Sequence, residues 1–517
     1  MNSLIAAAVR CLLTFILPTV TYAGSAQWNL NPTSSDWNTA ENWTPTTVPN
    51  GPADIATFAF SNTTNVSISA DTEANAMTFT PGASSFTFTA TTSVSLFLTG
   101  AGITNNSGTI QNFVTANPNG LFLIEFENSA RAGSQTVFTN QGGGLLEASP
   151  GLIFFRDTST ADNATFFNNG STISDTDGGN THFFETSTAA NGTFTNNGGA
   201  ASGLFAGGGT AFHATSTADN ATFTNNGGIV SDAGGGYTVF YDTSTADAAT
   251  LIANGGINGG LGGTIFLEQD SIGGTSRIEL FGDGNLDIGG HNAPGVTIGS
   301  IEGDETTSVF LGANNLTVGS NNLSTPFFGV IQDSGFGGSL TKIGGGTLIL
   351  SGANTYTGPT NVNGGVLQVD GSISSNTFVN DGGTLAGSGT VNGDVTNNDS
   401  GTINPGDALG APGVLTIGSN YTQVPTATLV IQIGGPNASQ VSVLDVRGSA
   451  NLNGYLEPVL VNGFVPRMGQ SFTIINYASH TGSFSHIQNQ VFDGGRKRWL
   501  VVYRRTSAVL IVVGNGR

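Results

Sequence analysis

Positive charge is scarce in this 517-residue chain: 13 Lys+Arg stand against 34 Asp+Glu, a formal net charge of −21 at pH 7. A surface so poor in cations cannot neutralise a run of phosphates, which excludes nucleic acid as a partner. Cysteine is nearly absent as well. The single Cys is Cys11, so the rest of the chain builds neither disulfides nor a thiolate metal site. Long apolar runs are missing beyond the first 23 residues. Stretches such as Ala508 to Val513 are strand-sized, against the ~20 residues a membrane-spanning helix needs. Helix-forming surface residues are thin, and Gly, Ser, Thr and Asn take their place. Disorder is excluded in turn, because 38% of the chain is apolar and 33 residues are Phe. What survives these exclusions is an extended all-β protein with polar turns, long because it repeats.

The N-terminus reads as an export signal. Arg10 precedes an apolar run from Cys11 to Val20, and Thr21-Tyr22-Ala23 puts small residues at the −3 and −1 positions of a cut before Gly24. A signal peptide is therefore expected over 1–23. The mature chain is expected to carry no transmembrane segment and to reach the outside of a bacterial cell or its surface.

The middle of the chain repeats. Thr-Ser-Thr-Ala begins at Thr158, Thr186, Thr215 and Thr243, at intervals of 28 or 29. Three residues before each stands a Phe (Phe155, Phe183, Phe212, Phe240). Eight after stands Phe166, Phe194, Phe223 or Leu251, and Asn pairs at 168–169, 196–197 and 225–226 follow. In Ala164-Thr165-Phe166 and its copies, Ala and Phe share one face of a strand and Thr takes the other. A single unit would expose its Phe. Stacking units at the ~4.8 Å strand spacing buries Phe on Phe and pairs every strand above and below. Asn placed at a turn tolerates left-handed φ and bonds to the Asn of the next rung, and the following Gly supplies positive φ. The expected fold is a parallel β-solenoid.

Downstream the motif changes. Leu340-Thr341-Lys342-Ile343-Gly344-Gly345-Gly346-Thr347-Leu348-Ile349-Leu350-Ser351-Gly352-Ala353-Asn354-Thr355-Tyr356-Thr357-Gly358 continues through Thr360, Val362, Gly364-Gly365, Val366, Leu367 and Val369. This stretch closely resembles the autotransporter-associated β-strand repeat of passenger domains. A looser Gly-rich likeness runs to about residue 420. The resemblance implies a right-handed parallel β-helix on the bacterial surface. It departs from the family at the end: about 80 residues follow Val441, too few for the strands of a translocator barrel. The expectation is a passenger-like chain lacking that barrel.

The two ends differ from the repeats. Trp28, Trp37 and Trp43 crowd the start, and bulky aromatics suit a cap over the first open edge of a solenoid. Strand-like runs at Val443 to Val446, Tyr455 to Leu460, Phe472 to Ile475, Trp499 to Tyr503 and Val509 to Val513 suggest a β-rich C-terminal cap or small sandwich. The expected organisation is a signal peptide at 1–23 and an N-terminal β cap with the Trp cluster at 24–110. A solenoid of 28–29-residue repeats follows at 111–335, the passenger-type repeat region at 336–440, and the C-terminal cap at 441–517.

Catalytic constellations are sparse. A glycoside hydrolase needs two carboxylates at roughly 5 to 9.5 Å, and the β-helical pectin hydrolases carry an Asp-Asp pair and an Arg-x-Lys, neither of which occurs here. A lyase needs a basic residue as proton acceptor. Between 132 and 446 only Arg156, Arg277 and Lys342 are available besides His, and Lys342 reads as a solvated surface residue. His182 and His213 do not keep one repeat register, so a shared metal site is not expected from them. The Asp/Asn-rich loops at 175–179 and 282–290 resemble single calcium-binding turns and read as plain turns. Arg496-Lys497-Arg498 and Arg504-Arg505 flank an apolar strand as guards against edge pairing, with attraction to anionic lipid or surface glycan as the functional alternative. The sequence therefore points to a non-catalytic structural or adhesin-like rod with no cofactor and no metal. Surface glycans or other envelope proteins are its expected partners. The alternatives are a carbohydrate-binding module using Trp28, Trp37 and Trp43, or a β-helical polysaccharide-processing enzyme.

Overall fold

The computed structural model describes residues 24–115, 121–143, 150–407 and 410–516. The expected signal segment, with Cys11, lies outside the described residues. The described chain is a parallel β-solenoid. Two three-residue 3-10 turns, Ala40–Asn42 and Ala438–Gln440, are its helical elements among those residues.

One wall is a ladder of 18 strands, one per coil, from Asn65–Ile68 to His486–Ile487. A second wall is a 14-stranded sheet running from Trp43–Thr44 and Ala26–Trp28 to Val330–Gln332. The third side changes along the molecule. Upstream it is a column of single-residue bridges through Arg131, Thr160, Thr188, Thr217, Thr245 and Ile272. From Gly295–Ile298 onward it widens into a nine-stranded sheet ending at Ser479–Gly482. The third residue of each Thr-Ser-Thr-Ala therefore forms a corner of the coil.

Parallel pairing begins earlier and ends later than the repeats do. Ala26–Trp28 already pairs in parallel with Gly51–Phe58, and Tyr455–Leu460 still pairs in parallel with His486–Ile487. The expected division near 110 thus crosses no change in pairing, and near 441 the strands stay parallel around a single antiparallel bridge, Ile433 to Val441. The antiparallel strands sit at the extremities: Trp43–Thr44 at one end, and Val491–Phe492, Lys497–Tyr503 and Ser507–Gly514 at the other. Between them, among the described residues, antiparallel pairing is limited to single bridges such as Gly387 to Gly406.

Inside, like stacks on like. Phe113, Phe138, Phe166, Phe194 and Phe223 form one column, with neighbouring ring centroids 4.9, 4.9, 4.5 and 4.7 Å apart. Phe126, Phe155, Phe183, Phe212 and Phe240 form a second at 4.7 to 4.8 Å. The columns meet edge-to-face, as at Phe183–Phe194, 5.8 Å. Each ring thus gains offset stacking along the axis and edge contact across it, about 0.5–1.5 kcal/mol per pair beyond burial. Beside them runs a buried amide ladder. Asn140, Asn168 and Asn196 each donate from Nδ2 to the Oδ1 of the next rung's Asn, at 2.6, 2.7 and 2.8 Å. A second ladder of Asn169, Asn197, Asn226 and Asn254 runs alongside at 2.8 to 2.9 Å.

Two details of the turn chemistry differ from expectation. Asn168, Asn196 and Asn225 end strands rather than occupy turns. Gly170, Gly198 and Gly227 after them serve close approach instead of positive φ: a Cβ on Gly198 would stand 2.2 Å from the carbonyl oxygen of Gly227. The left-handed residues bracket Thr-Ser-Thr-Ala. They are Asp157, Glu185, Ala214 and Asp242 before it, and Asp162, Ala190, Asp219 and Asp247 after it.

The motif at 340–369 also has a physical account. Asn354 Oδ1 accepts the Ile331 N–H at 3.0 Å and Thr355 N–H donates to the Ile331 carbonyl. The second wall thereby continues into a nine-stranded sheet that starts at Ala353–Asn354. Tyr356 is buried with its hydroxyl 2.6 Å from Thr360 Oγ1. Lys342 is not on a solvated surface. It occupies an inward position, 1% exposed, and Nζ donates to the carbonyls of Ile343, Gly344 and Gly364. Burial holds its pKa down to about 8.

Candidate functional site

The 28–29-residue coils contain more chain than their walls use. The surplus, over 170–178, 198–207, 227–235 and 255–262, folds into an arm on each coil. The arms stack because their roots are glycine. A Cβ on Gly207 would meet the Gly235 carbonyl oxygen at 1.9 Å, and one on Gly235 would meet that of Gly262 at 2.2 Å. Leu204 and Phe205, 72% and 76% exposed, project from the second arm.

Between the arms and the outer face of the 14-stranded sheet lies a cleft of about 580 Å³. Its floor is Tyr237, Val239, Tyr241, Thr264, Phe266, Glu268 and Asn285; Leu204, Phe205, Leu261 and Asp283 form its rim. The floor residues are there by register. Tyr237 pairs with Thr264, Val239 with Phe266, and Thr264 with Asn285, so one outward column per strand position feeds the cleft. Tyr237 donates from its hydroxyl to Asn180 Oδ1 at 2.7 Å, and burial raises its pKa. Burial also pushes the Glu268 carboxyl up, with the nearby Asp287 charge adding to the effect. Asp283 Oδ1 accepts the Gly256 N–H at 2.6 Å, tying the rim to the arm.

The same outer face carries an aromatic strip beside the cleft. His182 and His213 stack at 5.6 Å, with Nδ1 and Nε2 3.3 Å apart. His213 in turn stacks on Phe184 at 4.7 Å and on Tyr241 at 5.3 Å. Burial lowers the His182 pKa to about 3, aided by His213 and Arg156. Both imidazoles are therefore neutral near pH 7. Sequence spacing hid this pairing, since His182 faces Ala211 across the ladder and reaches His213 two positions further on. Arg156 lies over the Phe154 and Phe184 rings, 5.4 and 4.6 Å to the centroids, and pairs with Glu125 and Glu185. Arg277 is held by Glu279 and Glu302. Two of the three cations named for a lyase, Arg156 and Arg277, are thus held in ion pairs.

The tryptophans stand elsewhere. Trp28, Trp37 and Trp43 are 0%, 0% and 1% exposed. They pack edge-to-face on one another at 5.0 and 5.1 Å and against Phe58. Their indole N–H groups donate to the carbonyls of Thr63, Pro49 and Trp37. A sugar stacks on an exposed aromatic face, and none of the three offers one, so the glycan-binding assignment of these residues is corrected. They plug the end of the core.

The stacked parallel sheets and the register-built cleft define a repeat-built β-solenoid. Comparison with known proteins then adds the family likeness. Residues 340–369 match the passenger-associated-transport-repeat family, and the chain is a passenger-like repeat protein. Over 50 residues, 10% of this chain, it is 56% identical to an extracellular serine protease of Serratia marcescens, of which this covers 5%. Over 88 residues, 16% of this chain, it is 39% identical to the adhesin BmaC autotransporter of Brucella suis biovar 1 (strain 1330), of which this covers 2%. The aligned segments are thus a small part of these curated relatives.

Proposed function

We propose that this chain is a non-catalytic, adhesin-like rod displayed outside a bacterial cell, and that the arm-covered cleft is its contact site for an uncharged saccharide. The observation that carries the reading is the cleft itself, an aromatic floor and carboxylate edge held on a register-locked scaffold. Tyr241 and Phe266 offer ring surface to the C–H face of a sugar. Glu268, Asp283 and Asn285 offer groups to its hydroxyls. The same carboxylates repel anionic sugars. The passenger-type repeat supports export, and the adhesin relative supports display.

Binding of the purified protein to a glycan array tests it. Neutral glycans are expected to bind, with at least about tenfold loss in Tyr241→Ala and Phe205→Ala at unchanged melting temperature. Binding of none would overturn the contact site. Turnover of a glycan, abolished in Glu268→Gln, would overturn the non-catalytic reading. Small-angle scattering tests the rod: 18 stacked strands give a length on the order of 80 Å.

A further inference from the structure

Charge is distributed very unevenly along the rod. Residues 441–517 hold eight of the 13 Lys+Arg and three of the 34 Asp+Glu, so this end is net positive on a chain of net charge −21. From this polarity and the surface described next, we infer that the C-terminal antiparallel sheet is a docking face for an anionic lipid surface.

The sheet is Val491–Phe492, Lys497–Tyr503 and Ser507–Gly514, joined to the solenoid wall by antiparallel pairing of Ser507–Gly514 with Ser471–Asn476. Trp499 and Leu510 point into the core. The alternate positions point out, and there Arg498 pairs with Val513 and Val491, and Leu500 with Ile511. Leu500 is 42% and Val491 49% exposed. In earlier coils of the same wall one outward column, Ser372, Thr390, Thr416 and Asp445, is polar, while the neighbouring outward positions carry Val414 and Val443. What this end adds is an arginine within the strand itself, Arg498 between Val491 and Val513.

The cations divide into two groups. Arg496 and Lys497 are tied to Asp493. Arg498, Arg504 and Arg505 are exposed and have no ion pair among the described residues. Gatekeeping of an edge accounts for charge, yet not for aliphatic side chains left in water on the same face. A soluble polyanion would use only the guanidinium groups. A lipid surface uses both, taking phosphate contacts from arginine and shallow insertion from Leu500 and Val491.

Flotation of the full chain with vesicles tests the inference. Binding is expected to phosphatidylcholine vesicles containing phosphatidylglycerol and not to phosphatidylcholine alone, and it should weaken with salt. Neutralising Arg498, Arg504 and Arg505 together to Gln should weaken binding on the order of 100-fold. The triple Lys variant should retain it, and Leu500→Thr should weaken it less. Unchanged hydrogen-exchange protection across Lys497–Tyr503 and Ser507–Gly514 would show the cap folded. Equal binding to neutral vesicles, no binding to anionic ones, or an unaffected triple Gln variant would overturn it. So would a salt-sensitive oligomer lost in that variant, which would make the face a contact between copies.

Discussion

The wide coils between about 150 and 275 and the tight coils between about 346 and 403 solve one problem with different amounts of chain. In the wide region Phe166 sits under Phe194 and Phe194 under Phe223, at 28 and 29 residues. In the tight region Leu367 sits under Leu385 and Leu385 under Ile403, at 18. The wide coil has two sheets joined at a corner of single-residue bridges, and its core is filled by stacked Phe and an amide ladder. The tight coil has three real walls, and Leu367, Ile373 and Val379, one from each, fill it. The ten or so extra residues per wide coil go into the arms that make the cleft. Stability in this rod therefore belongs to the coil, and the recognition surface to the surplus.

The sharpest break of the comparison is a core truncation in each region. Phe194→Ala removes a ring stacked on both sides and should cost about 3–5 kcal/mol, while Leu367→Ala should cost about 2–5 kcal/mol. Hydrogen exchange should show each loss confined to neighbouring coils, as expected where coils contact only their neighbours. Global unfolding in both variants would show the two regions to be one cooperative unit. Next, Asn196→Leu interrupts the amide ladder and strands its partners, at about 1–3 kcal/mol by urea denaturation. A matching loss is not expected from Asn380→Leu, whose bond to Asn363 Oδ1 is exposed.

Proton linkage separates the regions at opposite ends of the pH scale. The folded His182 pKa of about 3 lies below its ordinary 6.5, so the unfolded chain binds more protons between these values. Stability should fall as pH drops from about 6.5, and exchange protection around 180–213 should weaken at pH 4.5 while 346–403 holds. His182→Gln should abolish that difference. For Lys342 the folded pKa of about 8 lies below 10.5, so stability should rise as pH climbs from about 8. Urea midpoints at pH 7.5 and 9.5 should show the rise, and Lys342→Met should lack it. Above that range buried Tyr356 and Tyr421, with raised pKa values, work in the opposite direction.

Register was the legible part of this sequence. A Phe recurring at one step of a 28–29-residue period has few ways to be buried, and stacking is the one that also pairs the backbone. The glycines and tryptophans were legible in type but not in role. Gly198 was read for its φ, whereas its use is a carbonyl arriving from the next coil, a contact that local sequence does not encode. Lys342 looked like surface because charge usually is; its burial depends on carbonyls from Gly344 and from Gly364 one coil later. The cleft was least visible. Its floor draws Tyr237, Phe266 and Asn285 from three coils, and no two of them share a motif.

The column of corner threonines has one more consequence. Because Thr188 and Thr217 hold equivalent places, excising residues 184–212 would bring His213 directly after Phe183 with each later residue still above its counterpart. Whole coils are thus the natural quantum of insertion and loss, and the gene can lengthen or shorten the rod by recombination between its own copies without rewriting a single contact rule.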